Sequence, residues 1–256
     1  MEVCYYIIHL QIMRLEGNKL IITGATAGIG EALLKKFLTL DNEVIAVGRN
    51  EEKLQILTAA DKRIIPFTCD ISKEEDLDKL IFFIEQNHPD SNILVNNAGI
   101  QFNYRFTEEP QLLSKIEQEI NINFLAPIKL IALTSHILKA NENAAIVNVS
   151  SGLGLVPKKQ APVYCGTKAG LHIFSKSLRY QLEDIKVFEV IPPLVDTAMT
   201  AGRGKGKISP EQLATEFIGA FQKDQYEINI GKVKILKLLN RLVPSLAESI
   251  MKNGGE

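Results

Sequence analysis

Tyr164 and Lys168 are the residues whose types and spacing point most directly to chemistry. They lie four residues apart in a segment predicted to be helical from about Pro162 onward, so they share one helix face. Lowering a phenol pKa from about 10 to about 7 requires about 4 kcal/mol, which one ammonium at about 4 Å supplies in an effective dielectric of about 20. We therefore expect Tyr164 to be a general acid or base near neutral pH. A tyrosine beside a solvated lysine also occurs by chance, so the rest of the chain must decide.

A strand, a turn and a helix near the N-terminus have the pattern of a phosphate-binding unit. Residues 19–23, KLIIT, form an apolar run that leads into GATAGIG and then into apolar residues at helical spacing. A glycine-rich turn in this place holds a pyrophosphate on the helix N-terminus. Gly24, Gly28 and Gly30 permit the tight turn and the close backbone approach, because they have no side chain.

Three further strand-like runs end in small or polar residues. Residues 93–99, ILVNNAG, end in two amides, and we expect Asn96 and Asn97 to fix the ends of neighbouring strands. Residues 146–151, IVNVSS, end in two hydroxyls, and residues 191–197, IPPLVDT, follow another apolar run. Because parallel strands bring their carboxyl ends to one edge, these residues are expected to meet Tyr164 and its lysine there.

Together these stretches resemble the short-chain dehydrogenase/reductase family. The resemblance is carried by TGxxxGxG at 23–30, NNAG at 96–99, Ser151 thirteen residues before Tyr164, and the YxxxK pair, in family order over about 17–200. Within the family, the chain is similar to oxidoreductases encoded with the D-alanylation genes of Gram-positive cell walls. The resemblance implies an α/β fold: a single doubly wound Rossmann-type domain, whose seven-stranded parallel sheet has helices on both faces.

The resemblance also implies roles for four residues. Tyr164 is expected to donate or accept the proton, and Lys168 to lower its pKa and to hold the nicotinamide ribose. Ser151 is expected to hydrogen-bond the substrate oxygen, and Asn123, in ININ, to hold a water in the proton relay. The nearest alternatives to the last two assignments are Ser150 and Asn121.

The expected cofactor contacts follow the same motifs. They are Thr23, Gly24, Thr26, Gly28, Ile29, Gly30, Arg49, Asn50, Asp70, Ile71, Asn97, Ala98, Gly99, Tyr164, Lys168, Pro193, Val195 and Thr197. Asp70 is expected at the adenine. Pro193 departs from the family, which usually has glycine there, and stiffens the backbone beside the nicotinamide.

The residues after the second strand indicate which cofactor is preferred. A site that prefers NAD has an Asp or Glu there for the ribose hydroxyls. This chain has Gly48, followed by Arg49, whose guanidinium is suited to phosphate, and by Asn50. Ala27 stands where many NADP-using relatives have a second basic residue. We therefore expect NADP(H) to be favoured over NAD(H) without NAD(H) being excluded.

The chain reads as one domain, residues 13–256, because no stretch has the composition of a linker. Residues 1–12 form an apolar extension without the features of a signal peptide; it is either a mis-called start or an interfacial or partner segment. Residues 199–210 lie at the position of a substrate lid, where basic residues either receive an anionic substrate or are solvated. Residues 232–256 form an apolar and basic segment that fits packing on the lid, a partner subunit or a membrane surface.

Composition excludes several classes of function. The formal net charge of −1 gives no electrostatic basis for binding nucleic acid. Three widely spaced cysteines fit a reducing cytoplasm and predict no metal site. We expect no integral membrane segment, a cytoplasmic location and, from the resemblance, a homo-oligomer (dimer or tetramer).

Three functions remain open on the sequence. The first is an oxidoreductase that moves hydride between NADP(H) and a small-molecule carbonyl or alcohol. The second is a non-catalytic nucleotide sensor or scaffold on the same fold, linked to D-alanylation. The third is an isomerase or dehydratase of the longer sister family, which uses another glycine spacing and a large C-terminal domain.

Overall fold

The computed structural model describes residues 12–252, and these residues form a seven-stranded sheet in which every strand pairing is parallel. The strands are short apolar runs, several of them rich in β-branched residues, as expected for strands buried on both faces. Their bounds are β1 (Lys19–Thr23), β2 (Glu43–Gly48), β3 (Ile64–Thr68), β4 (Ile93–Asn96), β5 (Ala145–Val149), β6 (Lys186–Ile191) and β7 (Glu227–Asn229). The predicted extension, apart from Ile12, and residues 253–256 lie outside the described range.

Helices cover both faces of this sheet. Their bounds are α1 (Gly28–Leu38), α2 (Glu51–Ala60), α3 (Glu74–Asn87), α4 (Leu112–Ile120), α5 (Ala126–Lys139), α6 (Pro162–Arg179), α7 (Pro210–Phe221), α8 (Val233–Leu242) and α9 (Pro244–Lys252). Alternation along β1 assigns the faces, because Leu20 and Ile22 enter the core beneath α1 and α7 whereas Ile21 enters the core beneath α3 and α5. On the first face, Phe37 of α1 packs edge-on against Phe217 of α7, with ring centroids 6.0 Å apart.

The strand order is β3-β2-β1-β4-β5-β6-β7, so the chain reverses its direction of winding between β1 and β4. In such sheets the ligand crevice opens at the carboxyl ends of the strands near the reversal. The predicted fold class, an α/β doubly wound parallel sheet, is confirmed.

One helix runs from 112 to 139. Although Pro127 lies within it, α4 and α5 are continuous through a π-helical turn, Asn121–Leu125. Pro127 stands at the first turn of α5, where its missing N–H is accommodated. The wider turn also carries Asn123 inward.

The same helix is long and apolar enough to cross a bilayer by length and composition. Its apolar residues have another use, since Leu130, Ile131, Ile137 and Leu138 of α5 are buried against the sheet. Packing of this kind is common for the core helix of a globular protein, so the segment is weak evidence for a membrane span.

Candidate active site

The turn between β1 and α1 is shaped to receive an anion. Gly24 and Gly28 have φ of +65° and +56°, values that side chains strongly disfavour. No side chain caps helix α1 at Ala27. The first N–H groups of the helix are therefore left to donate hydrogen bonds to a phosphate. A Cβ on Gly28 would lie 2.9 Å from Cγ2 of Thr197, which shows that Thr197 lies directly against the turn.

Thr23 and Asn97 tie this turn to the end of β4. The Thr23 hydroxyl accepts hydrogen bonds from the N–H groups of Asn97 (3.0 Å) and Ala98 (3.1 Å). The Asn97 amide donates to the carbonyl oxygens of Thr23 (2.9 Å) and Gly24 (3.2 Å). Asn96 donates in the other direction, to Oδ1 of Asn148 on β5 at 2.9 Å. The two amides therefore fix neighbouring strand ends, as the sequence predicts.

Ser151, Tyr164 and Lys168 meet beside the end of β5. Tyr164 and Lys168 are buried on α6, and the Lys168 Nζ lies 5.9 Å from the centroid of the Tyr164 ring. The ammonium donates to the carbonyl oxygen of Val149 at 2.8 Å. The Ser151 hydroxyl accepts from the N–H of Leu153 at 3.1 Å, which holds the serine at the start of a short 3₁₀ turn.

The pKa of Tyr164 differs from the expected one. Burial raises it to about 12, although the Ser151 hydroxyl and the Arg203 guanidinium act to lower it. Burial also lowers the pKa of Lys168 to about 8, partly offset by the carboxylate of Glu189. The expectation that Lys168 lowers the phenol pKa to about 7 is therefore wrong for this structure, because desolvation of the phenol outweighs a lysine whose ammonium is directed at a carbonyl.

Behind these residues lies a buried polar group that sequence reasoning missed. Glu189, in the middle of β6, is fully buried, and its carboxylate accepts from the Ser150 hydroxyl and lies 2.8 Å from Nδ1 of His172. Ser150 also points its hydroxyl toward the carbonyl oxygen of Val190. Ser150 thus faces β6, whereas Ser151 lies beside Tyr164. An acidic residue within the apolar run KVFEVI was the available signal.

Asn123 occupies a different place from the other predicted catalytic residues. Its side chain accepts from the N–H of Ile100 at 2.8 Å and donates to the carbonyl oxygen of Ile100 at 2.9 Å. A Cβ on Gly99 would lie 3.2 Å from Asn123 Oδ1 and 3.7 Å from Lys168 Nζ, so the amide is close to the lysine. Asn123 therefore holds the segment after NNAG against α6, and it does not line the cleft.

A cleft of about 1100 Å³ runs along the carboxyl edge of the sheet. The predicted residues that line it are Gly24, Thr26, Gly28, Ile29, Arg49, Asn50, Asp70, Ile71, Asn97, Ala98, Gly99, Ser151, Tyr164, Lys168, Pro193, Val195 and Thr197. Thr23 and Gly30 do not, because they lie behind the turn: a Cβ on Gly30 would lie 2.2 Å from the carbonyl oxygen of Gly24. In this structure these two residues shape the turn, and their contact with a cofactor stays a prediction.

The end of the cleft near β2 and β3 carries the polar residues expected at an adenosine. Arg49 is exposed, and the Asn50 Oδ1 caps α2 by accepting from the N–H of Lys53 at 2.8 Å. Partial burial acts to raise the pKa of Asp70, but hydrogen bonds from Ser72 and the charges of Arg49 and Lys73 bring it below the usual value. Ser72 does not cap α3, because its hydroxyl donates to Asp70 at 2.7 Å.

The opposite end of the cleft is built by the segment 194–208 and by α8 and α9. The segment closes at its base, where Ile208 donates to Leu194 (3.2 Å) and Asp196 donates to Ile208 (2.9 Å). Lys207 is part of this closure, since its ammonium contacts Asp196 (3.1 Å) and the carbonyl oxygen of Thr200 (2.8 Å). Lys207 is thus occupied by contacts within the segment, whereas Arg203 and Lys205 line the cleft.

An apolar wall lies opposite this segment and comes from residues 232–252, for which packing on the lid was one of the expected alternatives. Helix α8 packs beside the turn that follows Ser151, because a Cβ on Gly152 would lie 3.4 Å from Val233 Cγ2 and 3.5 Å from Leu236 Cδ2. The other apolar residues of α8 and α9 that line the cleft are Ile235, Leu239, Ile250 and Met251. The spacing of 233, 236 and 239 along one helix face was the signal. Across residues 12–252, His, Cys, Asp and Glu side chains form no group of three or more that is arranged to hold a metal ion.

Comparison with known proteins agrees with this site. Residues 18–207 match the family model described as short chain dehydrogenase. Among curated proteins, the chain is 39% identical over 234 residues to the uncharacterized oxidoreductase DltE of Bacillus subtilis (strain 168), covering 88% of this chain and 92% of that protein.

Solved structures share the fold at lower identity. A short chain dehydrogenase from Burkholderia cenocepacia J2315, in complex with NADP, superposes with a TM-score of 0.83 and 23% identity, covering 93% of this chain and 99% of that one. A short chain dehydrogenase/reductase from Burkholderia phymatum, in complex with NAD, gives a TM-score of 0.79 at 17% identity, covering 94% and 98%. Relatives of this fold thus bind either nicotinamide dinucleotide.

Proposed function

Since the chain belongs to the short-chain dehydrogenase/reductase family, we propose that it is an oxidoreductase that moves hydride between NADP(H) and the carbonyl or alcohol carbon of a small molecule. One observation carries this proposal. A single cleft joins the glycine-rich turn before α1 to Ser151, Tyr164 and Lys168. An anion seat and a proton donor in one cavity are what a nicotinamide-dependent reduction requires.

The residues at the turn fit a dinucleotide. The uncapped N-terminus of α1 would hold the pyrophosphate, and Thr197 would cover it from the other side. Lys168 would hold the nicotinamide ribose from α6, beside the wall formed by Pro193. When bound, the nicotinamide supplies or accepts the hydride.

The chain's own residues manage the proton. A phenol with a pKa of about 12 is protonated at neutral pH, so Tyr164 is ready to donate. As hydride adds to the carbonyl carbon, the carbonyl oxygen gains negative charge and takes the proton of Tyr164. The product is then released as the alcohol. The Ser151 hydroxyl would hydrogen-bond the same oxygen as its charge develops. The protonated phenol is the form that carbonyl reduction requires.

Arg49 and Gly48 support a preference for NADP(H). Gly48 ends β2 without an acidic side chain, and Arg49 follows it at the cleft surface. A guanidinium can fork onto phosphate oxygens, whereas a ribose without phosphate gives it no charged partner. Because this is one arginine, we infer a preference and not an exclusion of NAD(H).

The predicted assembly and location are part of the same proposal. Large apolar side chains are exposed on the adjoining helices α4 and α6, among them Leu113, Ile120 and Ile173. Exposed apolar faces of this kind support a homo-oligomer. The expected dimer or tetramer can be measured by light scattering. The family, the balanced charge and the free buried thiols at Cys69 and Cys165 are compatible with a cytoplasmic enzyme that binds no nucleic acid.

The test is NADPH absorbance during incubation with a panel of aldehydes, ketones and keto acids. We expect at least one compound to oxidise NADPH in the wild type and none to do so at a comparable rate with Tyr164→Phe. The alternative, a non-catalytic sensor linked to D-alanylation, predicts tight NADPH binding with no turnover of any carbonyl. That outcome would contradict the enzyme proposal.

A further inference from the structure

The charged residues that line the cleft are balanced at one end and of one sign at the other. At the far edge of the sheet, Arg49 follows β2 and Asp70 follows β3, so their charges oppose each other. At the catalytic end the charged lining residues are all basic: Lys158, Lys168, Arg203, Lys205 and Lys232. This end therefore has a positive potential that favours an anionic ligand.

Arg203 is the basic residue whose guanidinium is most clearly directed inward. Its Nη1 is shielded from solvent and has no hydrogen-bond partner among the described residues. Its Nη2 makes a single long contact of 3.5 Å with the carbonyl oxygen of Gln101. A buried guanidinium N–H without an acceptor is costly. The arrangement is explained if an acceptor arrives with the ligand.

The distance between Arg203 and the reacting atoms is short enough for their charges to interact. The Arg203 guanidinium acts to lower the pKa of Tyr164, while burial of the phenol acts more strongly to raise it. One small molecule can therefore carry both the anionic group that binds Arg203 and the carbonyl that faces Tyr164.

The backbone around Arg203 holds it there. The N–H of Arg203 donates to the carbonyl oxygen of Thr200 at 3.0 Å, and the base of the segment is closed by Asp196 and Lys207. On either side of the arginine, Gly202 and Gly204 have φ of +71° and +53°. The base is therefore fixed, and the glycines allow the tip to adjust to a ligand.

An apolar surface faces this basic tip. Val233, Leu236 and Leu239 of α8 line the same end of the cleft and carry no polar group that would bind a second charge. Lys232 begins this helix and lies beside the tip, because a Cβ on Gly206 would be 3.0 Å from its Nζ. The cavity thus combines one anion seat with an apolar wall.

We propose that Arg203 is a specificity-determining residue that binds the anionic group of the substrate, a carbonyl compound with a carboxylate or a phosphate at one end and an apolar body. This inference rests on the proposed reductase function. Lys205 and Lys232 add to the positive potential around the guanidinium. Val233 and Leu236 contact the apolar body while the carbonyl lies between Ser151 and Tyr164.

The test compares charged compounds with neutral analogues of the same shape. Pyruvate, acetoacetate and levulinate, each beside its methyl ester, vary the distance between carboxylate and carbonyl, and dihydroxyacetone phosphate beside dihydroxyacetone tests the phosphate. At the one carboxylate-to-carbonyl distance that matches the cleft, we expect kcat/KM of the wild type to be roughly ten- to a hundredfold higher for the charged compound than for its neutral analogue. Arg203→Gln should remove that ratio, mainly through KM, and Arg203→Lys should restore part of it. Arg241→Gln, an exposed arginine of α8 outside the cleft, should leave the ratio unchanged.

A binding measurement keeps the inference testable if none of these compounds is reduced. Calorimetric titration of butyrate and of butyramide into the enzyme with NADPH requires no turnover. Butyrate should bind more tightly than butyramide, and Arg203→Gln should abolish the difference; thermal unfolding of the variant checks its fold. Failure of the reductase proposal would appear as butyrate binding without NADPH oxidation. The inference on Arg203 is overturned if esters and acids react equally, or if neither reaction nor binding responds to Arg203→Gln.

Discussion

The two ends of the cleft are built in different ways. At the cofactor end, the backbone turn at Gly24–Gly30 contacts Asn97 and Ala98 so closely that added Cβ atoms would overlap them. At the substrate end, the walls are a closed segment with three positive-φ glycines and the helices α8 and α9, where Leu238 and Leu242 of α8 are exposed outside the cleft. The first end has one tightly fixed shape, whereas the second leaves room for variation.

This difference teaches where specificity lies in the molecule. The proposed dinucleotide seat is fixed by backbone geometry and by amides such as Asn97. The substrate end depends on side chains such as Arg203 and Leu236 that no backbone motif specifies. We therefore expect substitutions at the cofactor end to damage the fold or cofactor binding. Substitutions at the substrate end should change which compound reacts.

The largest expected effect is at the boundary between the two ends. Tyr164→Phe removes the proton donor and keeps the ring, so the rate should fall by about a hundred- to ten-thousandfold. Affinity for NADPH should be nearly unchanged, since the phenol proton is used in the reaction and not in holding the cofactor. Stopped-flow rates and a binding titration separate the two. A variant that keeps a tenth of the wild-type rate would refute the assignment.

The next largest effect tests the rigidity of the cofactor end. Gly30→Ala places a Cβ 2.2 Å from the Gly24 carbonyl oxygen and 2.4 Å from Asn97 Nδ2, so we expect about 1–3 kcal/mol or more of destabilisation. Gly219→Ala is the matched control, because Gly219 is exposed on helix α7 and an added Cβ would have nothing within 4 Å. It should stabilise the protein by up to about 1 kcal/mol. Equal unfolding midpoints for the two variants would contradict the close packing of the turn.

The next prediction concerns the preference of the cofactor end for NADPH over NADH. Wild type should bind NADPH roughly ten- to a hundredfold more tightly than NADH, from one charge-assisted contact of Arg49. Gly48→Asp combined with Arg49→Ala should reverse this order. A Cβ on Gly48 would lie 2.9 Å from Thr26 Cγ2, so Gly48→Ala with the same Arg49→Ala change is the control for crowding alone. Equal dissociation constants in the wild type would exclude the proposed role of Arg49.

The smallest expected effect concerns Glu189, which lies behind Ser150 and acts on the charge of Lys168. With a pKa of about 8, Lys168 is charged below that pH and loses its charge as pH rises through it. We therefore expect kcat/KM for NADPH to fall above about pH 8. Glu189→Gln removes an attraction that raises this pKa, so the fall should begin at lower pH; a shift of about one unit equals about 1.4 kcal/mol. An unchanged profile would show that Glu189 does not act on Lys168.

The same contrast explains how much the sequence could predict. The strands, the glycine turn and the ties made by Asn96 and Asn97 depend on local patterns, and the fold followed from them. Thr23 and Gly30 were expected in the cleft because they belong to the TGxxxGxG motif. The motif does not show which of its residues face the ligand and which residues support the turn. Their true positions depend on contacts with β4.

Long-range packing accounts for what could not be predicted. The pKa of Tyr164 depends on burial by segments far along the chain, so the spacing to Lys168 could not fix it. Lys207 and Arg203 look alike in TAGRGKGK, but closure of the segment on Asp196 turns one away from the cleft and leaves the other at its tip. The α8 wall was visible as an amphipathic pattern without a known partner.

The most direct test of the proposed reaction follows the hydride itself. NADPH labelled with deuterium at C4 of the nicotinamide, on either face, is incubated with the enzyme and a carbonyl compound that oxidises it. Mass spectrometry should find deuterium on the carbinol carbon of the alcohol when one face of C4 is labelled and not when the other face is labelled. With Tyr164→Phe, no labelled alcohol should form. Alcohol that lacks deuterium with both labels would contradict hydride transfer in this cleft.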